Sequence, residues 1–107
     1  MFANPVACHQ VSEAYNLPIL IIITNNSEWG AVRQSVLGMY PDGHASKANT
    51  MPLTGLAPSP DFTLVAKASR AYAETVIDGS ALPEALERAI HEVTIKKRLA
   101  LLNVRVA

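Results

Sequence analysis

The sequence predicts an α/β fold in which helices cover both faces of a mainly parallel β-sheet. Predicted strands alternate with predicted helices along the chain, and such alternation requires right-handed crossovers between parallel strands. Residues 17–24 form an unbroken apolar run, typical of a strand buried on both faces at the centre of a parallel sheet. Residues 82–93 place apolar side chains on one stripe, which is the pattern of an amphipathic helix packed on a sheet.

The first half of the chain contains two predicted helices and one predicted strand. Apolar residues at roughly helical spacing predict a helix over 2–15. The apolar strand over 17–24 comes next. Asn26 or Ser27 can cap the following helix, which we expect to end near Gly38.

The second half begins with a predicted loop over residues 40–58, and loops of this length are usually functional or mobile. Residues 59–69 predict a helix with a good cap and a proline in its first turn. A strand over 72–77 follows, then a helix capped by Ser80, and a last strand over 100–106. That last helix presents apolar residues on one side (Leu82, Leu86, Ala89, Ile90, Val93) and polar residues on the other (Glu84, Glu87, Arg88, Glu92). The elements amount to an incomplete, Rossmann-like sheet of about three strands and four helices.

Length and charge restrict the class of protein. The 107 residues suit one domain. The nine basic residues are balanced by nine acidic residues, so the composition does not indicate the basic surface that binds nucleic acid. The basic run 96–98 lies late on a helix, where it favours the helix dipole and faces solvent. No signal peptide is visible, and the apolar run is far shorter than the ~20 residues of a membrane helix. We therefore expect a cytoplasmic protein without membrane or nucleic-acid partners.

Cysteine and histidine usage is uninformative about chemistry. The single Cys8 excludes an internal disulfide, and we expect its side chain in the core. Cys8 and His9 are adjacent on a helix, so their side chains diverge and cannot form a catalytic pair. His44 and His91 are expected to be solvated, and three scattered histidines with one cysteine do not make a zinc site.

The Asn25-Asn26 pair follows the apolar strand directly and is the most informative position in the chain. Open α/β sheets bind ligands beyond the carboxyl ends of their strands. An asparagine side-chain oxygen and a nearby backbone carbonyl are neutral oxygen ligands suited to a hard cation such as Mg²⁺. Taken alone, the pair fits an ordinary turn and helix cap better than a metal site, because asparagine is common in both of those roles.

Several motifs together resemble the C-terminal, diphosphate-binding domain of thiamine-diphosphate (ThDP) enzymes of the acetolactate synthase and benzoylformate decarboxylase type. The resemblance covers essentially all 107 residues. Its strongest part is Asn16-Leu17-Pro18 entering the apolar strand, followed by Asn25-Asn26-Ser27-Glu28-Trp29-Gly30-Ala31-Val32-Arg33. Supporting parts are Pro60-Asp61-Phe62, the helix over 82–89 and the strand motif Leu101-Leu102-Asn103-Val104. Met39-Tyr40-Pro41-Asp42-Gly43 with Met51-Pro52-Leu53-Thr54 is most similar to an acetolactate-synthase-like subgroup.

The resemblance implies two cofactors, thiamine diphosphate and Mg²⁺, and assigns residues to them. Asn26 would be a side-chain metal ligand and Glu28 would offer its main-chain oxygen. Trp29, Gly30 and Ala31 would lie near the thiazolium and the substrate. No catalytic residue is assigned, because the family's catalytic glutamate belongs to a separate amino-terminal domain.

The chain also departs from the family pattern. It contains no Gly-Asp-Gly, the motif that carries the metal-binding aspartate and whose position by spacing would lie just before Met1. Ser27 and Arg70 stand where many members have glycine, as do Ala71 and Ala73. The resemblance therefore implies a partial domain over 1–107: a fragment, a truncated gene product or one piece of a split enzyme. Weak or absent cofactor binding is expected of the isolated chain.

Two functions remain open from the sequence. The first is the ThDP- and Mg²⁺-binding part of a 2-keto-acid carboligase or decarboxylase, whose partners are the remainder of the enzyme or a second subunit; family members are homo-oligomers. The second is a non-catalytic α/β remnant or interaction module. A small flavodoxin-like binding domain is a weaker third, because no glycine loop cradles phosphate. The segment 40–58 is either a lid over a ligand or an interface segment.

Overall fold

A computed structural model describes residues 5–48 and 54–106 of the chain. Within that part, five α-helices and three β-strands occur in the order α1 Pro5–Ala14, β1 Leu20–Asn25, α2 Gly30–Met39, α3 His44–Lys47, α4 Phe62–Lys67, β2 Tyr72–Val76, α5 Leu82–Thr94 and β3 Ala100–Arg105. A 3₁₀ turn, Gly79–Ala81, precedes α5. The chain divides into two compact units. We call residues up to Asn25 and from Asp61 onward the sheet unit, and Asn26–Pro60 the loop unit.

The three strands form one parallel sheet in the order β1-β3-β2. The register pairs Leu20 and Tyr72 with Ala100, one on each side of β3. The predicted parallel α/β architecture is thus confirmed. The expectation that the apolar strand is central is wrong for the described sheet, where β3 is central, β1 is at an edge, and Ile22 of β1 is 48% exposed. An apolar run reports that a strand is hydrophobic on both sides and carries no information about which strands flank it.

Helices cover both faces of this sheet. On one face α5 packs with Ala85 and Ala89 against the central strand, where Leu102 is completely buried. On the other face Ala66 of α4 packs near Leu101. The predicted stripe of α5 is confirmed for Leu82, Leu86, Ala89 and Val93, whereas Ile90 is half-exposed and Glu92 is buried.

Glu92 is buried because two basic residues beyond the helix reach back to it. The Lys96 ammonium lies 2.8 Å from its Oε1 and the Arg98 Nε lies 2.6 Å from its Oε2. Most of the basic run 96–98 therefore binds this carboxylate, although its side chains stay partly exposed. A second ion pair ties Glu74 of β2 to Arg88 of α5 at 2.6 Å. The hydrogen bond from Arg88 is the main reason that the pKa of Glu74 lies below its usual range.

The three helices of the sheet unit are each followed by a residue in the left-handed backbone region. These residues are Asn16, Arg70 and Lys97, with φ of 51°, 57° and 56°. Backbone N–H groups just after α1 and α4 bond carbonyls five residues earlier, as in Leu17 to Ser12 at 2.9 Å and Ala71 to Ala66 at 3.3 Å. This is the hydrogen-bond pattern of a Schellman stop, which favours glycine at the left-handed position. The chain turns into β1 and β2 through this stop without using glycine, whereas after α5 the Arg98 N–H bonds the Glu92 carbonyl, six residues earlier.

The boundaries and caps of the helices agree with the sequence predictions only in part. The helix predicted over 2–15 is α1, with residues 2–4 outside the described part. Asp61 caps α4, accepting the Thr63 N–H at 2.9 Å, while Asp78 rather than Ser80 caps the turn that leads into α5.

Cys8 is exposed rather than in the core, and its neighbour His9 is buried instead. The two side chains do diverge, as predicted, because successive residues of a helix face different directions.

The loop unit contains α2, α3 and the segment that follows them. Neither Asn26 nor Ser27 caps α2; Trp29 occupies that position without a side-chain hydrogen bond. The segment predicted as a loop over 40–58 includes α3, and its residues 49–53 lie outside the described part. Neither helix has a buried residue, and Thr54 is the one buried residue among those described in this unit. None of the described helices has the length and apolar character needed to cross a membrane.

Candidate functional site

The two adjacent asparagines have opposite environments. Asn25, the last residue of β1, is 6% exposed, and its Nδ2 donates to Oδ1 of Asn103 at 3.1 Å. Asn103 in turn donates to Thr75 Oγ1 at 3.5 Å, so polar groups of all three strands meet near the carboxyl end of the sheet. Asn25 is therefore held in the structure of the sheet unit. Asn26 is exposed.

The exposed Asn26 side chain organises the turn that follows it. Its Oδ1 accepts the backbone N–H of Glu28 at 3.0 Å, which is an Asx turn. Ser27, between them, has φ of 56°, which is the left-handed backbone conformation. Glycine adopts this conformation without strain, which is consistent with glycine being frequent at this position in the family that the sequence resembles. An amide oxygen has two lone pairs, so this hydrogen bond leaves one for a ligand.

Glu28 presents its backbone and not its carboxylate to the same region. Its carboxylate lies 3.3 Å from Arg33 Nε. Its backbone forms an antiparallel bridge with Gly55, flanked by hydrogen bonds from Trp29 N–H to Thr54 O and from Leu56 N–H to Ser27 O, both 2.8 Å. In such a non-hydrogen-bonded pair, the N–H and C=O of Glu28 point away from the opposing segment. The Glu28 carbonyl therefore points to the side where its N–H meets Asn26 Oδ1.

Gly30 provides the space that the Asn26 side chain uses. A Cβ at Gly30 would lie 3.3 Å from Asn26 Nδ2, so any side chain there would push on the amide. Trp29 is 42% exposed and Ala31 is exposed, which places neither in a packed interior. The five residues selected from sequence thus lie within one six-residue stretch, 26–31, which forms an open turn and the start of α2.

These donors fit part of a magnesium coordination shell. Asn26 Oδ1 and the Glu28 carbonyl are neutral oxygens, and Mg²⁺ is usually bound by such groups together with one or two carboxylates. Among residues 5–48 and 54–106, no group of three His, Cys, Asp or Glu side chains could hold a metal ion. The Glu28 carboxylate is engaged by Arg33. The fit therefore covers neutral ligands only, and the turn itself offers no unengaged carboxylate.

Sequence reasoning missed the segment Thr54–Leu56, which pairs with the turn from the far end of the loop unit. It also missed Arg33, which holds the Glu28 side chain. Periodicity reports local structure, and a single bridge between Glu28 and Gly55 leaves no local pattern. The buried Thr54, in an otherwise exposed stretch, is visible only in the structure.

Comparison with known proteins gave one match. A family model described as "Thiamine pyrophosphate enzyme, C-terminal TPP binding domain" matches residues 9–104. The match includes the Asn26–Ala31 turn, β1, β2 and most of β3. No curated protein and no solved structure gave a significant match to the chain.

Proposed function

We propose a function on the premise that this chain belongs to the thiamine pyrophosphate enzyme family, as its C-terminal, TPP-binding domain. The chain contributes the neutral-oxygen ligands of a Mg²⁺–thiamine diphosphate site. The complete enzyme is a 2-keto-acid carboligase or decarboxylase, most similar to the acetolactate synthase type.

One observation carries the proposal: two neutral oxygens in one turn are directed to the same side. Asn26 Oδ1 accepts the Glu28 N–H at 3.0 Å, and the bridge to Gly55 turns the Glu28 carbonyl toward that oxygen. The arrangement presents a side-chain and a main-chain oxygen together, while Arg33 keeps the one nearby carboxylate occupied.

Each residue has a role that follows from its position. Asn26 and Glu28 would hold the metal, and Trp29, Gly30 and Ala31 would adjoin the cofactor and substrate. Bound thiamine diphosphate supplies the carbanion chemistry used on 2-keto acids, while the protein supplies binding and orientation. The metal-binding aspartate and the catalytic glutamate come from the remainder of the enzyme or from a second subunit, in a homo-oligomer in the cytoplasm. The 40–58 segment acts as a lid or interface.

A second candidate is a non-catalytic interaction module, favoured by exposed apolar side chains in a chain whose turn lacks a carboxylate ligand. Val6, Tyr15 and Leu17 of the sheet unit are all more than half exposed. Met39 and Tyr40 of the loop unit are exposed to a similar degree. Contiguous exposed apolar surface is typical of protein interfaces.

Paramagnetic NMR separates the two candidates. The ¹⁵N-labelled chain is titrated with Mn²⁺ in the presence of thiamine diphosphate, because broadening reports weak binding near the ion. We expect broadening centred on the amides of Asn26, Glu28 and Gly30, and its loss in Asn26→Ala. Gln34→Ala removes another exposed carboxamide of the loop unit and should leave the broadening unchanged.

Uniform broadening, or broadening insensitive to Asn26→Ala, would reject the metal site and favour the interaction module. Trp29 fluorescence provides a second measurement, since it is the single tryptophan. Saturable quenching at micromolar cofactor would contradict the expectation that the chain alone binds weakly. Tighter binding after addition of a polypeptide carrying a Gly-Asp-Gly half-site would support the shared site.

A further inference from the structure

The geometry points to Thr54–Leu56 as a positioning segment for the metal site, in which the Leu56 N–H is the decisive group. This inference rests on the proposed function and adds a second stretch of chain to the site. By holding Ser27–Trp29 from one side, the segment fixes the direction of the Glu28 carbonyl on the other side. Leu56 acts through Glu28 and does not itself contact the cation.

The contacts between the two stretches are few and specific. Leu56 N–H donates to Ser27 O at 2.8 Å, and Trp29 N–H donates to Thr54 O at 2.8 Å. These bonds flank the Glu28–Gly55 bridge symmetrically. Thr54 is 4% exposed, which makes it the anchored end of an otherwise exposed segment.

The turn requires such an anchor because its own conformation is unfavourable. Ser27 has φ of 56°, a region that residues with a side chain rarely adopt. The Asx hydrogen bond of Asn26 restrains the Glu28 N–H but not the orientation of the peptide that follows it. Strained backbone at binding sites persists when surrounding contacts determine it, and here the Thr54–Leu56 segment provides those contacts.

The pairing also links the site to the chain between the two stretches. Trp29 and Thr54 stand on either side of the intervening chain, and the hydrogen bond between them joins its two ends. Coupling of this kind is reciprocal: a cation that prefers the fixed Glu28 carbonyl must stabilise the Leu56 and Trp29 hydrogen bonds.

The first test is a matched set of variants in the Mn²⁺ titration. Leu56→Pro removes the N–H, whereas Leu56→Ala keeps it and removes only a partly exposed side chain. Gly55→Ala adds a Cβ that would contact nothing within 4 Å. We expect Mn²⁺ affinity at the Glu28 amide to fall roughly fivefold in Leu56→Pro, the effect of losing one hydrogen bond, and to be unchanged in the two alanine variants.

The second test needs no variant and covers the case in which Leu56→Pro disrupts the loop unit. Amide hydrogen exchange of the wild-type chain is measured with and without Mg²⁺ and thiamine diphosphate. At tenfold excess over Kd, exchange at Leu56 and Trp29 should slow by up to about tenfold, because the opening that breaks these hydrogen bonds also releases the cation.

The outcomes distinguish this inference from the proposed function. Localised Mn²⁺ broadening in wild type with no loss in Leu56→Pro, or with no protection of Leu56, overturns the positioning role and leaves the metal site standing. Absence of localised broadening in wild type overturns the proposed function, and the positioning role with it. Equal losses in Leu56→Pro and Leu56→Ala would assign the effect to the side chain and also reject the inference.

Discussion

The sheet unit and the loop unit are stabilised in different ways. All ten buried hydrophobic residues of the described chain belong to the sheet unit, from Ala66 to Val104. The loop unit has helices without buried residues, and its described burial is limited to Thr54. Apolar contacts therefore determine the first unit, and a few backbone hydrogen bonds determine the second.

This difference separates the buried core from the proposed binding turn along the chain. The division falls between Asn25 and Asn26, so the buried amide belongs to the sheet unit and the exposed amide begins the loop unit. Binding residues are commonly carried on loops whose roots are held by a rigid scaffold.

Core truncation should give the largest contrast. Leu102→Ala removes a completely buried side chain of β3 and should lower the free energy of unfolding by about 3 kcal/mol. Val32→Ala removes a side chain that is 44% exposed on α2 and should change it by less than about 0.5 kcal/mol. Urea unfolding followed by circular dichroism measures both. Similar losses in the two variants would show that α2 has a core of its own.

The two adjacent asparagines should give the second-largest difference in the free energy of unfolding. Asn25→Ala leaves a buried Asn103 amide oxygen without the donor at 3.1 Å and should cost about 2 kcal/mol. Asn26→Ala removes the exposed Asx hydrogen bond and should cost about 0.5–1 kcal/mol. Thermal unfolding of the two variants under identical conditions makes the comparison. A larger loss for Asn26→Ala would reverse the assignment of structural and exposed roles.

Acid should weaken the sheet unit through its ion pairs. The hydrogen bond from Arg88 holds the pKa of Glu74 low in the folded state, so the folded chain binds its proton less readily than the unfolded chain. The stabilisation is present above the unfolded pKa of about 4.3 and is lost as pH falls through the lower folded value. Exposed ion pairs contribute little, generally less than about 1 kcal/mol. The stability difference between wild type and Glu74→Gln should therefore shrink below about pH 4.3, measured by urea unfolding across pH.

Glu87→Gln is the control for this titration, because Glu87 is an exposed carboxylate next to Arg88 on α5. A stability difference between wild type and Glu74→Gln that stays constant from neutral pH to pH values well below about 4 would contradict the assigned role of the pair.

Glycine at the left-handed positions should give the smallest effects. Ser27→Gly relieves the backbone at φ of 56° and should stabilise the loop unit by about 0.5–1 kcal/mol. Arg70→Gly gains similarly but loses its two-point ion pair with Glu13, so its net change should be close to zero. Trp29 fluorescence reports unfolding of the first variant and circular dichroism that of the second. Equal stabilisation would show that the Arg70–Glu13 pair contributes nothing.

Much of the fold could be predicted because its signals are local. The parallel strands and the amphipathic α5 each leave a pattern within a few residues, and the structure has both, whereas α4 begins at Phe62 and Pro60 lies before its cap, not in its first turn. What failed depended on partners distant in sequence. The sequence predicts that Glu92 is solvated, because it gives no sign that Lys96 and Arg98 bind its carboxylate. It predicts that β1 is central, because the residues of a strand do not indicate which strands lie beside it.

The site could be predicted only in part for the same reason. Asn26 and Gly30 follow a strand at a fixed offset, so their placement in one turn could be inferred from the chain. The direction of the Glu28 carbonyl depends on Gly55, and the occupation of its carboxylate depends on Arg33. No residue pattern in the first stretch indicates the second, because the two are joined by backbone groups that every residue carries.

The position of β3 has a consequence for how the chain acquires its structure during synthesis. β3 comes after β1 and β2 in chain order and is the strand that pairs with both, while β1 and β2 have no ladder between them. A nascent polypeptide that has not yet emerged beyond Leu99 contains β1 and β2 without the strand that pairs with both of them. Among the described strands, both ladders of this sheet can therefore form only after residues 100–105 have been synthesised, although β1 and β2 precede them in the chain.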